Sequence, residues 1–560
     1  MLSFSKINSK YFPYLFFIIV IVVLFGLNWR PNFLPTSDQA MLEYMNMAKH
    51  GKVFGQSING YTVNNLYIFA EVVYLLSFVF SSFFIKYLLL LVFIVAFSYW
   101  VSFYILMRLS AGQVVLSSIF APILFIPRFA LGGEFWGMFS LNFVQGRSFY
   151  QPIALLLYFL IFQSLKSENT KKMFGAGILS GLSFMIYPGG GFYLPLITGL
   201  ALFLLWIFKK CQFGLVLSFL IGYLVGMAPS LLNYVLNSDA QIGGVLSSFL
   251  YLRSLFDVAG FNELVHSRFP HIFGKGWSRM AAEVIILLIV ILYARHTHRH
   301  SKADSKEIKP SDVTGREFLF FNIVFAAAVL LITFGIPLAQ YLIVKIFNWP
   351  YFFFEQLRSS RYLYLPLLFI LIRYLFLLYY DKRHKVFLLV FFLSFFGLRF
   401  FQPAINFSLY RLLPESFRQS IGVAKKDFIT EKNEFEKKNP DLIDIANYLK
   451  TNVSSTAKIY IDSDDDVALN IRSISGRSTN ICNKELSLFI IQDALNAVST
   501  ANKIQLYTSM IENGYNSDTF GTLKKDGFQY LITPNNTYLS ENLSGLSLEY
   551  QNHNFKLFKF

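Results

Sequence analysis

Two acidic residues stand where long apolar runs give way to polar sequence. Asp38 lies in Leu34 to Lys49, LPTSDQAMLEYMNMAK, just past the first apolar run, and Glu134 lies in GGEFW past the third. A carboxylate at the edge of hydrocarbon can take the proton from an attacking hydroxyl. Displacing a phosphate also needs cations, or a metal held by carboxylates, to absorb charge on the leaving oxygens. Arg147, Arg268, Arg358 and Arg361 are the candidate cations, and the planar guanidinium fork matches phosphate oxygens. Arg358 and Arg361, in QLRSSRYLYLP, are three residues apart and share a face if that stretch is helical. Glu43, Tyr187, Gln356 and His271 fall in the same set of loops and are the candidates for a donor or acceptor pocket. A divalent cation, Mg or Mn, held by Asp38 and Glu134 is the cofactor this pattern admits. Plainer roles compete: Ser37-Asp38 is a good N-cap for the helix that follows, and a single loop arginine often serves lipid headgroups or packing.

These residues can act together only if they face one side of a membrane. The 560 residues are 55% hydrophobic and 15% charged, against about a quarter charged in soluble domains, so the class is integral membrane. Lys6 and Lys10 precede the apolar run Tyr14 to Leu27 with no small-x-small cleavage site after it. That reads as an uncleaved first span with its basic end inside, which delivers Asp38 outside. Counting Asn65–Phe83 as a span would put four basic loops outside: Lys166–Lys172, Lys209–Lys210, Arg295–Arg316 and Asp381–Lys385. Laying it on the surface, as an interfacial or re-entrant helix, puts all four inside and spares Glu71 the bilayer centre. Further spans are predicted near Ile85–Met107, Val114–Pro127, Gln151–Leu165, Met173–Pro188, Phe192–Phe208, Phe213–Tyr234, Ala281–Tyr293, Phe318–Tyr341, Tyr362–Tyr380 and Val386–Phe401. That makes about eleven, some shorter than the roughly 20 residues of a full crossing.

An odd count leaves residues 402–560 outside as a soluble domain, and 1–401 as the membrane domain with surface helices at about 38–83. In the outer part, Asp441–Lys450, Glu485–Val498 and Asn502–Asn513 read as helices, and Lys458–Ile461, Tyr530–Ile532 and Phe555–Phe560 as strands. The pattern is that of a small α/β domain. The net charge of +16 is explained by the inner loops, so no nucleic-acid partner is needed. Cys211 and Cys482 fall on opposite sides and do not pair. His296, His298 and His300 have no acidic or cysteine cluster beside them and read as a solvated inner loop. DSDDD at Asp462–Asp466 lacks the glycine and distal glutamate of a calcium loop and reads as a strand-to-helix turn.

The layout resembles the GT-C superfamily of multi-span glycosyltransferases, over residues 11–400. The likeness lies in a first span, an outer loop with an early acid and surface helices, and a second acidic outer loop. About eleven spans and an outer C-terminal α/β domain complete it. QLRSSRY, SRFPHIF and GLSFMIYP (Gly181–Pro188) are similar to segments of bacterial GT-C-like membrane proteins. The resemblance implies Asp38 as the catalytic Asp of the first loop, with helices at about Gln39–Lys49 and Asn65–Phe83, and Glu134 as the acidic residue of the second loop. It also implies a polyprenyl-phosphate-linked sugar as donor, a lipid, glycan or protein acceptor, and action at the outer face of the cytoplasmic membrane. The chain has no Asp-Glu pair in the first loop and no WWDYG-like motif. Two other readings stand beside this one. A transporter or flippase for lipid-linked glycans predicts charged residues inside spans, with Glu71 and Arg373 as the candidates. A non-catalytic envelope-assembly protein predicts that Asp38 and Glu134 are dispensable.

Overall fold

In hydrocarbon every backbone N–H and C=O must pair within its own segment, so the long apolar runs have one solution, the helix. The chain's structure, a computed structural model, describes residues 10–28, 33–36, 39–43, 68–110, 112–125, 128–129, 135–136, 141, 144–237, 277–299, 316–336, 339, 346, 356–380, 383–393, 426–463, 465–480, 506–507, 509, 515, 517–535 and 546–560. Among them, six helices are long and apolar enough to cross a membrane: Phe83–Leu109, Gly146–Lys166, Gly189–Ile207, Phe213–Leu232, Glu317–Gly335 and Ser359–Tyr380. Shorter apolar helices lie at Phe12–Gly26, Ile68–Val79, Val114–Phe125 and Val284–His296. The protein is therefore a mostly helical, multi-pass membrane protein.

Several elements are shorter than the predicted spans. In place of Met173–Pro188 there is a 13-residue helix, Thr170–Leu182, followed by a 3₁₀ turn, Ser183–Met185. A new helix then starts at Pro188, because proline cannot donate to the preceding turn. Ile68–Val79 has 12 residues, about 18 Å of helix at 1.5 Å per residue, against about 30 Å of hydrocarbon. Such a length suits a surface-lying helix.

By contact the described residues form two compact units. One is drawn from 1–29, 88–232 and 268–423, the other from 30–87, 233–267 and 424–560. In the first, the helix of Ser359–Tyr380 is central, with 89% of its most apolar window buried, whereas that of Phe213–Leu232 has 28% buried. The latter turns Leu217, Ile221 and Leu224 outward, a surface suited to lipid. Its other face meets Thr170–Leu182 so closely that the helices need glycine on both sides. A Cβ on Gly177 would lie 2.3 Å from the Phe219 carbonyl oxygen, and one on Gly222 2.2 Å from that of Phe174. Small residues permitting backbone approach are the usual means of packing helices in a bilayer. We predict that Gly222→Val lowers stability by about 1–3 kcal/mol, seen as a drop in melting temperature in detergent. Gly214→Ala, with open space around it, leaves the melting temperature unchanged.

The second unit contains a five-stranded sheet, in the order β4-β3-β5-β7-β6: β3 is Lys458–Ile461, β4 Ser478–Thr479, β5 Tyr530–Pro534, β6 Ser547–Gln551 and β7 Phe555–Lys559. A separate two-stranded ladder of the first unit pairs β1, Arg128–Phe129, with β2, Phe135–Trp136. β3 runs parallel to β4 and β5, and β7 is antiparallel to β5 and β6. One face packs Ile459, Ile461 and Ile532 on residues of the helices Lys426–Asn452 and Asp465–Ser475, such as Leu449 and Ile471. The other packs Tyr460 and Leu531 on Phe520 and Leu523 of Ser517–Lys525. The alternation of side chains along β3 and β5 produces the two faces. The predicted strands Lys458–Ile461 and Tyr530–Ile532 are present, and the helix predicted at Asp441–Lys450 is part of Lys426–Asn452. Glu485–Val498 lies outside the described residues, as does most of Asn502–Asn513.

Candidate functional site

Three departures from α-helical backbone meet in the first unit. They are the Ser183–Met185 turn with the PGGG start of the next helix, the 3₁₀ helix Gln356–Leu363, and a π segment, Leu331–Gly335. The 3₁₀ helix packs on both the π segment and the Pro188–Ile207 helix, and Thr333 and Ser359 share a hydroxyl–hydroxyl bond of 2.8 Å. Irregular backbone at membrane depth survives only where protein or a polar cavity surrounds it, and such segments recur at functional sites.

Arg361 is 3% exposed and lies at this junction. Its Nη1 donates to the Tyr187 hydroxyl at 3.2 Å, and its guanidinium sits 5.5 Å from the centre of that ring. Tyr187 also occupies the N-cap position of the Pro188–Ile207 helix without a side-chain cap bond to it. The Tyr150 hydroxyl donates to the Gly190 carbonyl at 3.0 Å, and that of Tyr223 to the Gly191 carbonyl at 3.1 Å. Glycine is required here: a Cβ on Gly190 would lie 2.5 Å from the Tyr150 ring, and one on Gly191 2.3 Å from the Phe184 backbone. The result is a buried guanidinium with phenols around it, close to the amide-bearing end of a helix. Both the cation and the helix N-terminus favour a tetrahedral anion.

Sequence reasoning named Arg361 and Tyr187 separately, and the fold brings them together. Positions 358 and 361 both belong to the 3₁₀ helix Gln356–Leu363. Gln356 begins the same helix. Arg147 is half-buried in the first turn of Gly146–Lys166, three positions before Tyr150. Tyr150 and Tyr223 go unsignalled, since a tyrosine in an apolar run looks like any other packing residue. Asp38, Glu134, Arg268 and His271 lie outside the described residues. Among the described residues no group of three or more His, Cys, Asp or Glu could hold a metal.

In the second unit, the stretch that carries Asp38 is firmly seated on either side of it. Thr36 begins the helical residues 39–43: its carbonyl accepts from the Ala40 N–H at 2.8 Å, and the Gln39 side chain accepts from the Thr36 N–H at 2.8 Å. A side chain reaching back to a backbone N–H three residues earlier is the backward half of a capping box. Ala40 and Met41 pack on Leu469, and Asn470 donates to the Pro35 carbonyl at 2.8 Å. The helix Asp465–Ser475 of the sheet domain thus holds this stretch.

Glu43, predicted as a pocket residue, is committed to an ion pair. Its Oε2 lies 2.7 Å from Lys86 Nζ, with both side chains buried, and Lys86 also donates to the Ser77 hydroxyl at 3.0 Å. The Lys86 ammonium lies 4.7 Å from the Phe83 ring centre and 5.6 Å from that of Tyr87. Burial pushes the Glu43 carboxyl up from its ordinary range, and the Lys86 charge opposes that shift. We predict that Glu43→Gln, which leaves Lys86 buried without its counter-charge, costs about 3–5 kcal/mol. Thermal unfolding in detergent measures it, and Glu43→Gln combined with Lys86→Met should recover part of the loss.

No family model matches the sequence, and no curated protein matches it. Among solved structures, the crystal structure of ArnT from Cupriavidus metallidurans bound to undecaprenyl phosphate is similar at 12% identity and a TM-score of 0.39. The alignment covers 98% of this chain and 97% of that one. The apo structure of the same protein gives the same values. A likeness of this size sets neither the family nor the chemistry of this chain.

Proposed function

We propose that the protein is a membrane glycosyltransferase of the GT-C kind. It moves a sugar from a polyprenyl-phosphate carrier to a lipid, glycan or protein acceptor at the outer face of the cytoplasmic membrane. The observation that supports this best is the Arg361–Tyr187 junction. A guanidinium buried in a membrane-spanning helix is costly, and such residues are retained for pathways and ligands. The phosphate of a lipid carrier matches the planar guanidinium fork, and its apolar tail suits the lipid-facing surface of the helices around it.

In this reading the acceptor oxygen attacks the anomeric carbon as the bond from that carbon to the phosphate oxygen breaks, with inversion. The electron pair leaves with the polyprenyl phosphate. Arg361, with Arg147 and Arg358, receives the charge on those oxygens, and the Tyr187 hydroxyl holds the Arg361 fork in place. Asp38 takes the acceptor's proton as general base. Glu134 orients the acceptor; a divalent cation, were one bound, would be held by Asp38 and Glu134 and would supply positive charge toward the leaving phosphate.

The test uses purified protein in liposomes with an undecaprenyl-phosphate-linked radiolabelled sugar and a membrane extract as acceptor source. Formation of free undecaprenyl phosphate, together with label in the extract, supports the proposal. Movement of the intact carrier between leaflets without release of undecaprenyl phosphate would replace it with the flippase reading.

A further inference from the structure

The sheet domain carries a second polar constellation, on the face opposite the one that holds the helix Asp465–Ser475. β3, β4 and β5 have the order 4-3-5, so the chain leaves β3 to one side and returns on the other. In open α/β sheets, ligands collect outside the carboxyl ends of the strands that flank such a reversal. Here those ends are Asp462 after β3 and Thr533 in β5. The register pairs Ile461 with Ile532, and the Asp462 N–H donates to the Ile532 carbonyl at 2.8 Å. The next residues, Asp462 and Thr533, are therefore neighbours. Ile461 and Ile532 pack into one core cluster while Tyr460 and Leu531 pack into the other. By alternation, Asp462 and Thr533 project on the Tyr460 side. Tyr515 belongs to that side too, and its hydroxyl faces the Asp462 carboxylate.

Two hydroxyls here are unexplained. Thr533 is fully buried and Tyr515 nearly so, and among the described residues neither Thr533 Oγ1 nor the Tyr515 hydroxyl has a hydrogen-bond partner. An unpaired buried hydroxyl costs free energy that valine, of the same shape, would avoid. Asp462, by contrast, is half-buried and followed by exposed Ser463, so the constellation reaches solvent at its Asp462 end, with Thr533 and Tyr515 buried behind it.

We propose that Asp462, Thr533 and Tyr515 form a binding site for a neutral, hydroxyl-rich ligand, a sugar ring. The carboxylate accepts from ligand hydroxyls, while the Thr533 and Tyr515 hydroxyls each donate or accept as the ligand requires. An anion would be repelled by Asp462. Burial raises the Asp462 carboxyl from its ordinary value, and the nearby Tyr515 hydroxyl opposes that shift. This site belongs to the sheet domain and does not depend on the transferase assignment.

The test is saturation-transfer NMR on the full-length protein in lipid nanodiscs free of sugar headgroups. The probes are D-glucose, D-galactose, D-mannose and N-acetyl-D-glucosamine, each at millimolar concentration. At least one should receive saturation, with binding weakened about tenfold or more in both Asp462→Asn and Thr533→Val. Thr533→Val should melt at or above the wild-type temperature, which separates lost binding from lost folding. Arg361→Ala should bind the sugar as the wild type does, even if it loses transfer. The proposal is overturned if none of the four sugars receives saturation, or if binding is unchanged in Thr533→Val. It is equally overturned if Arg361→Ala abolishes the signal, or if titration calorimetry finds Ca²⁺ binding at Asp462 with no sugar binding.

Discussion

Arg361→Ala should lower turnover of an undecaprenyl-phosphate-linked sugar by about 10²–10³-fold, the usual loss when one preorganised donor to a developing negative charge is removed. The basis is geometric: the guanidinium is 3% exposed and already held by the Tyr187 hydroxyl at 3.2 Å. It therefore needs little rearrangement when charge builds on the leaving phosphate. Arg361→Lys keeps the charge but loses the fork and should recover only part of the rate. Tyr187→Phe leaves the charge and the ring and removes one bond, so its effect should be smaller than either. Initial rates of undecaprenyl phosphate release measure the series. Equal rates in Arg361→Ala and wild type would remove this residue from the chemistry.

The second large effect is expected at Asp38. If Asp38 is the base, as proposed, Asp38→Asn keeps size and hydrogen-bonding capacity and should reduce kcat by about 10²–10⁴-fold, the range typical of a positioned general base. On that proposal KM for the donor should change little, because a general base acts on the acceptor's proton and not on the carrier. A fall in kcat with the melting temperature unchanged would separate this role from a structural one. If Asp38→Asn transfers sugar as fast as wild type, the base lies elsewhere.

The helical character of the membrane part was legible because apolar runs leave the backbone no alternative. Where each helix ends was not. Pro188 and the glycines after it interrupt an apolar run whose hydropathy alone looks continuous, and the π and 3₁₀ segments answer to packing that no local pattern expresses. Arg361 was visible as an arginine at the mouth of an apolar run and Tyr187 as a tyrosine before a glycine triplet. Their meeting was not, since 174 residues separate them. Lys86, in FFIKYLLL, looks like a charge snorkelling from a helix end. Only the fold shows it buried against Glu43.

The sheet domain divides in the same way. β3 and β5 announce themselves by β-branched and aromatic residues. β4 has two residues, and β6 exposes most of its side chains, so neither offers a buried alternation to read. Strand order was beyond local pattern, and with it the adjacency of Asp462 and Thr533. DSDDD was correctly read as a strand-to-helix turn, which is where Asp462 lies between β3 and the helix Asp465–Ser475.

The most direct test of the central claim is the affinity of undecaprenyl phosphate itself for the protein in detergent micelles, measured by native mass spectrometry at one ionic strength. If Arg361 and Tyr187 hold the carrier's phosphate, Arg361→Ala should bind it at least about tenfold more weakly, while Asp38→Asn binds it as the wild type does. Equal affinity for wild type and Arg361→Ala would contradict the account.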